Sequence, residues 1–137
     1  MLASSSQTIL VAEDDPGVRE LVRTRLDVAG YRVHTVKNGV DALRRVRELN
    51  PDALVLDINM PLLDGFGVLA QLKTLPKLKV RTLVLTARHA SEDVRRALSM
   101  GARDYMAKPF DDAILLARVA RLLRAPRPVD PSRVVRI

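Results

Sequence analysis

The segment Ala53-Leu-Val-Leu-Asp57-Ile-Asn-Met-Pro61 begins with four consecutive aliphatic residues and then reaches an acid. An unbroken apolar run of this length is typical of a strand that is buried on both faces. Segments rich in apolar residues at 8–12, 31–36, 80–85 and 104–107 predict four more strands, and stretches with helical periodicity follow each of the five. Regular alternation of strands and helices with short connections predicts an α/β fold, in which a doubly wound, five-stranded parallel sheet is covered by five helices.

Capping residues and apolar periodicity place the helices between these strands. Asp15 is predicted to cap the first helix, with Pro16 at its first position, and Ser91 is predicted to cap the fourth. The fifth helix should run over residues 111–124. Its predicted core stripe consists of Ile114, Leu115, Val119 and Leu122.

The composition is that of an ordinary globular domain. Apolar residues make up 47% of the 137 residues and aromatic residues only 3%, so one aliphatic core is expected. Cysteine is absent, and no apolar run approaches the ~20 residues that span a bilayer. We therefore expect a cytoplasmic protein without membrane contact.

Positive charge is concentrated near the C-terminal end of the sequence. The net charge is +7, and from Arg118 onward there are six arginines and one acid, Asp130. A solvated basic helix and tail is favoured over a nucleic-acid contact, because recognition of bases requires more than charge. We expect a disordered N-terminus at residues 1–7, one domain at 8–124, and at 125–137 a linker with the possible start of a following output domain.

Polar residues follow four of the predicted strands. Glu13 and Asp14 follow the first strand, Asp57 the third, Thr86 the fourth and Lys108 the fifth. The carboxyl ends of parallel strands meet at one edge of a sheet, where ligands bind in such folds. Several carboxylates without cysteine favour Mg²⁺ as the metal, and an ammonium and a hydroxyl beside them suit a phosphoryl group. The set predicts phosphoryl transfer, with Asp57 as the nucleophile.

Simpler interpretations exist for several of these residues. Asp15 is explained best as a helix cap, and Lys108 alone would be equally compatible with a surface loop. Thr86 and Tyr105 alone would be ordinary strand residues. The chain's histidines, His34 and His89, are predicted to face solvent, and Met60, Met100 and Met106 to serve packing.

Four segments, at residues 9–14, 54–65, 83–88 and 101–110, resemble the signature blocks of receiver domains from bacterial two-component response regulators. The resemblance extends from about Ile9 to Arg124 and implies a flavodoxin-like strand order of 2-1-3-4-5. It implies that a sensor histidine kinase phosphorylates Asp57 and that Lys108 contacts the phosphoryl group. It also implies that the Lys108–Pro109 peptide bond is cis.

The same resemblance implies a metal site and a switch. Mg²⁺ would be bound by Asp14 and Asp57, by the backbone carbonyl of Asn59, and by Glu13 through water. Thr86 and Tyr105 would form a switch pair, in which the hydroxyl moves toward the phosphoryl group and the ring turns inward.

The fourth and fifth helices and the strand between them resemble the winged-helix (OmpR/PhoB-type) transcription regulators. In that class, active receivers form homodimers through salt bridges on this face, and the Asp104 and Arg118 positions are kept here. Val94 and Ile114 stand where the class usually has an arginine and a glutamate, and Arg103 replaces a usual acid. These departures count against the standard dimer, and two apolar residues in place of two charges would suit a drier contact with another partner.

Three functions are compatible with the sequence. The first is the regulatory domain of a response regulator that binds DNA only through a further domain. The second is a receiver without DNA-binding output, either a single-domain phosphorelay shuttle or part of another signalling protein. The third is a Mg²⁺-dependent phosphohydrolase, which is disfavoured because Asn59 stands where a general acid would be needed. A receiver would not be an enzyme in the usual sense, since it catalyses only its own phosphorylation and dephosphorylation.

Overall fold

The computed structural model describes residues 6–124. The segment predicted to be disordered at the N-terminus lies largely outside the described residues, and the linker predicted at 125–137 lies wholly outside them. The strands are β1 (Thr8–Ala12), β2 (Arg32–Val36), β3 (Ala53–Leu56), β4 (Arg81–Thr86) and β5 (Asp104–Ala107). The helices are α1 (Pro16–Val28), α2 (Gly39–Leu49), α3 (Gly65–Lys73), α4 (Ser91–Ser99) and α5 (Asp112–Arg124).

The five strands form a parallel sheet in the order β2-β1-β3-β4-β5, which confirms the predicted fold. β3 lies at the centre, and all four of its side chains are buried. Its alternate residues enter different clusters, because successive side chains of a strand point to opposite faces. Leu54 and Leu56 belong to one cluster with residues of α2 and α3, whereas Ala53 and Val55 belong to another with residues of α1 and α5.

The helix ends agree with the sequence-based predictions in α1 but not in α4. The carboxylate of Asp15 accepts hydrogen bonds from the amides of Gly17 (2.8 Å) and Val18 (3.2 Å), as expected of a cap. The prediction that Ser91 caps α4 is wrong. Ser91 is the first residue of the helix, and Ala90, at the cap position, has no side chain that could accept a bond.

Two side-chain placements also differ from prediction. Ile114 was expected in the core stripe of α5 but is 50% exposed. The buried stripe contains Leu115 and, one and two turns later, Val119 and Leu122. Successive helical residues are rotated by about 100°, so Ile114 points away from that stripe. His34 was expected to face solvent, but it is partly buried and its Nδ1 lies 3.2 Å from a guanidinium nitrogen of Arg45. His89 is exposed, as predicted.

Two glycines bring loops close to the sheet edge. A Cβ added at Gly39, the first residue of α2, would lie 1.9 Å from the backbone oxygen of Leu63. One added at Gly65, the first residue of α3, would lie 2.5 Å from the backbone oxygen of Asp57. The loop after β3 is therefore packed against the starts of two helices. Within residues 6–124, no helix combines the length and the apolar character needed to cross a membrane.

Candidate functional site

The predicted polar residues do meet at the carboxyl edge of the sheet. Glu13 and Asp57 directly follow β1 and β3, Thr86 is the last residue of β4, and Lys108 follows β5. The backbone hydrogen bonds of the sheet continue into these positions. The amide of Asp57 donates to the carbonyl of Ala12 (3.0 Å), and the amide of Lys108 donates to the carbonyl of Thr86 (2.9 Å). The sheet's own hydrogen bonds thus set the spacing of the site.

Lys108 joins the two buried acids. Its ammonium lies 2.5 Å from Oε1 of Glu13 and 3.0 Å from Oδ2 of Asp57. The side chains of these acids are only 5% and 7% exposed, and an unpaired buried carboxylate is costly. The lysine therefore neutralises charge that burial would otherwise make unfavourable.

The pKa values of this cluster reflect competing effects. Burial raises the pKa of Glu13, and the neighbouring charge of Asp57 adds to this, although hydrogen bonds from Lys108 and the Asp15 amide act in the opposite direction. Burial alone would lower the pKa of Lys108, but hydrogen bonds to Glu13 and Asp57 raise it above its usual value. The ammonium is therefore held in its charged form.

The remaining acceptors of the site are more open to solvent. Asp14 and Asn59 are both exposed, and the amide of Asn59 donates to Oδ1 of Asp57 (3.3 Å). Among residues 6–124, no three Asp, Glu, His or Cys side chains converge closely enough to bind a metal by themselves.

The chemistry of the donors nevertheless fits Mg²⁺. Mg²⁺ is bound in proteins by one or two carboxylates and keeps several waters, so a cluster of three acids is not required. Glu13 and Asp57 already direct oxygens toward one shared cation, the Lys108 ammonium, and neither a thiol nor an imidazole is among the predicted ligands.

The predicted switch pair lies on one face of the sheet. Val84 is paired in register with Tyr105, and Thr86 is two residues further along β4, so Thr86 and Tyr105 point to the same side. Thr86 is fully buried, and its hydroxyl accepts from the amide of Arg88 (3.3 Å). Tyr105 is partly buried, and its hydroxyl donates to the carbonyl of Arg88. The two residues are therefore connected through one loop residue.

Comparison with known proteins identifies the family. The profile described as "Response regulator receiver domain" matches residues 9–120. The chain belongs to the receiver domain family of response regulators.

Similar proteins agree with this membership. The transcriptional regulatory protein PrrA of Mycobacterium leprae is 44% identical over 120 residues, which are 88% of this chain and 51% of PrrA. The response regulator MprA of the same organism is 44% identical over 127 residues, 93% of this chain and 55% of MprA. The chain thus spans about half the length of the curated relatives it matches.

A solved structure agrees as well. The receiver domain of the sensor histidine kinase PA1611 from Pseudomonas aeruginosa has a TM-score of 0.81 and 31% identity, and the match covers 88% of this chain and all of that one. That structure is described as having a magnesium ion coordinated in the active-site cleft.

In this receiver, the predicted interface residues are divided between apolar and charged positions. Val94 is partly buried and Ile114 is half exposed. Asp104 does not point to solvent alone, because its two oxygens accept from Arg118 and Arg121 of α5, each at 3.0 Å. The charged pair expected to act between subunits is therefore satisfied within one chain.

Two arginines at the receiver's site were given no role by the sequence. Arg19 donates to the backbone carbonyls of Glu13 (3.0 Å) and Asp14 (3.2 Å). Arg88 pairs with Asp93 of α4 (3.1 Å) and donates to Oδ1 of Asn59 (3.4 Å). The sequence cue that could have identified them is their position. Arg19 is in the first turn of α1, shortly after Glu13 and Asp14, and Arg88 is two residues after Thr86.

Proposed function

We propose that this receiver is a phosphorylation-activated switch whose phosphoryl acceptor is Asp57. The observation that carries the proposal is the position of the Asp57 carboxylate, which ends the central strand with the Lys108 ammonium 3.0 Å away. A nucleophilic carboxylate beside a fixed cation is what transfer of a phosphoryl group to an aspartate requires. The phosphodonor would be the phosphohistidine of a sensor histidine kinase.

The chemistry of the transfer is simple. A carboxylate oxygen of Asp57 forms the new O–P bond as the N–P bond of phosphohistidine breaks, and the electron pair of that bond returns to the imidazole. Lys108 can then exchange a carboxylate for a phosphoryl oxygen, which keeps its charge next to the added negative charge. The hydroxyl of Thr86 is the candidate donor to another phosphoryl oxygen.

Mg²⁺ is the proposed cofactor, bound by Asp14 and Asp57, by the Asn59 carbonyl and, through water, by Glu13. When bound, it supplies neutralisation of charge shared between carboxylate and phosphoryl oxygens. The protein residues position the acceptor and exclude solvent from it, since Asp57 and Thr86 are buried. The domain would act only on its own phosphorylation state and would be cytoplasmic.

The proposed output is regulation of transcription through a further, DNA-binding domain, after the α4-β5-α5 face changes and a homodimer forms. Support comes from PrrA, which is named a transcriptional regulatory protein and is about twice as long as the matched region. The alternative, a receiver without DNA-binding output, is supported by the PA1611 receiver, which belongs to a sensor kinase and has the same fold. The gene sequence downstream of Ile137 distinguishes the two.

The phosphoryl acceptor can be tested with a small phosphodonor such as phosphoramidate in the presence of Mg²⁺. Wild type, Asp57→Asn and the control Asp15→Asn would be compared by intact-protein mass spectrometry. The control removes a neighbouring charge but keeps an oxygen that can accept the cap bonds from Gly17 and Val18. We expect one phosphoryl group on wild type and Asp15→Asn and none on Asp57→Asn. Stable phosphorylation of Asp57→Asn would refute the assignment.

A further inference from the structure

A cavity of about 310 Å³ lies beside the carboxyl end of β2, between α1 and α2. Its volume is at the lower end of the range of small-molecule sites. None of the residues proposed for phosphoryl transfer lines it. The lining residues are Arg19, Thr35, Val36, Lys37, Asp41, Arg44 and Arg45.

The lining of this cavity is predominantly cationic. Four of its seven residues carry a positive charge, and one, Asp41, is an acid. The Asp41 carboxylate already accepts from the side-chain amide of Asn38 (3.0 Å) and lies 3.6 Å from a guanidinium nitrogen of Arg44. The acid is therefore engaged at the wall, and the cavity keeps an excess of positive charge.

The cations are only partly compensated by neighbouring acids. Arg44 and Arg45 share the carboxylate of Glu48, at 3.3 and 2.8 Å. Arg19 donates to backbone carbonyls rather than to an acid. Within residues 6–124, the ammonium of Lys37 makes no hydrogen bond or salt bridge to another described residue. Lys37 is thus available to an incoming anion without loss of an existing bond.

We propose that this cavity binds a compact phosphate-bearing anion with at least two negative charges. Guanidinium groups bind phosphate oxygens through paired N–H donors, and an ammonium adds a compact charge. The hydroxyl of Thr35 is a further candidate donor at the wall. A small ligand is favoured over a nucleic acid or a protein surface because the feature is an open pocket of about 310 Å³ with seven lining residues, and not an extended basic face.

The cavity adjoins the site of the proposed phosphorylation but is separate from it. Arg19 connects the two, since it lines the cavity and holds the carbonyls of Glu13 and Asp14. Val36, also a lining residue, accepts from the Glu13 amide (3.0 Å). Binding at the cavity requires neither Mg²⁺ nor a phosphorylated Asp57, so this proposal is independent of the proposed function.

Isothermal titration with pyrophosphate, without Mg²⁺, tests the proposal. Wild type would be compared with Lys37→Gln, Arg44→Gln and the control Arg47→Gln, which removes the same charge from an exposed residue of α2 outside the cavity. We expect saturable binding to wild type and roughly tenfold weaker binding to the first two variants, a loss of about 1.4 kcal/mol. Arg47→Gln should bind like wild type.

Amide chemical shifts would locate the bound anion. When pyrophosphate is added, the largest changes in amide chemical shift should occur at residues 35–41 rather than at Asp57 or Lys108. Lys37→Gln keeps the test valid if Arg44→Gln is destabilised, because Lys37 has no bond to lose. Four results would overturn the proposal: no saturable binding, equal weakening in Arg47→Gln, shifts centred on Asp57, or tighter binding of citrate than of pyrophosphate.

Discussion

The hydroxyl of Tyr105 donates a hydrogen bond to the backbone carbonyl of Arg88. The aromatic ring of the proposed switch is thereby tied to the loop that follows β4, and not to the hydroxyl of Thr86 itself. The same residue, Arg88, donates its amide to Thr86 (3.3 Å). Movement of Thr86 toward a phosphoryl group would therefore disturb the loop that holds the ring, which gives the proposed switch a physical connection.

Tyr105→Phe removes this hydrogen bond and keeps the ring. We expect the free energy of unfolding to fall by about 0.5–1.5 kcal/mol, the usual net contribution of one hydrogen bond. Urea denaturation is the measurement. Tyr31→Phe is the control, because Tyr31 also packs partly buried against the core but its hydroxyl makes no hydrogen bond within residues 6–124. An equal loss of unfolding free energy in both variants would show that the hydrogen bond of Tyr105 does not stabilise the domain.

Lys108→Met should destabilise the domain when Mg²⁺ is absent. The substitution leaves Glu13 and Asp57 buried without their shared cation, at an expected cost of about 1–3 kcal/mol in unfolding free energy. Without the lysine hydrogen bond, which lowers it, the pKa of Glu13 should rise further. Mg²⁺ should then raise the melting temperature more in Lys108→Met than in wild type, because it replaces the missing charge.

Thermal melts of wild type, Lys108→Met and Lys73→Met, each with and without Mg²⁺, test this expectation. Lys73 is exposed, and within residues 6–124 its ammonium hydrogen-bonds the carbonyl of Ser99 (3.4 Å) and no acid, so its substitution should leave both melting temperatures unchanged. The expectation fails if Mg²⁺ stabilises all three proteins by the same amount.

Gly39→Ala should be strongly destabilising, by about 3 kcal/mol. The new Cβ would lie 1.9 Å from the backbone oxygen of Leu63, so the loop after β3 has to move. Gly17→Ala is the matched control, since it also lies in the first turn of a helix and its Cβ meets only the Asp15 carboxylate at 3.3 Å. Chemical denaturation should show a loss in the first variant that greatly exceeds any change in the second. Similar stabilities would mean that the loop adapts easily.

Much of the fold and of the site was predictable from local sequence rules. Each strand has an apolar run, and the parallel arrangement brings residues after different strands to one edge. This predicted that Glu13, Asp57 and Lys108 would meet. Four separate segments must agree for such a site to form, so the pattern is specific even though each segment is short.

The residues that escaped prediction are those whose placement depends on tertiary contacts. Arg19 and Arg88 have long side chains whose partners are set by neighbouring loops, and periodicity carries no information about them. His34 lies beside Arg45, which comes from a different element. Ile114 and Leu115 are adjacent apolar residues, and only the packing of α5 decides which one is buried.

Val94→Arg combined with Ile114→Glu should strengthen dimerisation after treatment with beryllofluoride, a phosphoryl mimic. The double variant restores the pair of charges usual in the winged-helix class at two positions that are at least partly accessible.

Thr86→Ala should still be phosphorylated but should assemble poorly. Analytical ultracentrifugation of wild type, the double variant and Thr86→Ala, each treated with beryllofluoride, would measure the extent of dimerisation. Undiminished assembly of Thr86→Ala would remove its hydroxyl from the mechanism, and a monomeric double variant would assign the apolar pair to a different contact.

Asp104 binds two arginines, and these differ in accessibility: the side chain of Arg121 is 65% exposed and that of Arg118 is 35% exposed. A carboxylate on an approaching protein can capture Arg121 while Asp104 stays bonded to Arg118. One ion pair is then exchanged for another, and no acid is left unpaired during the approach. Because exposed ion pairs contribute little each, such an exchange has a small net free energy. Contacts made through Arg121 should therefore form and dissociate readily, as a transient signal requires.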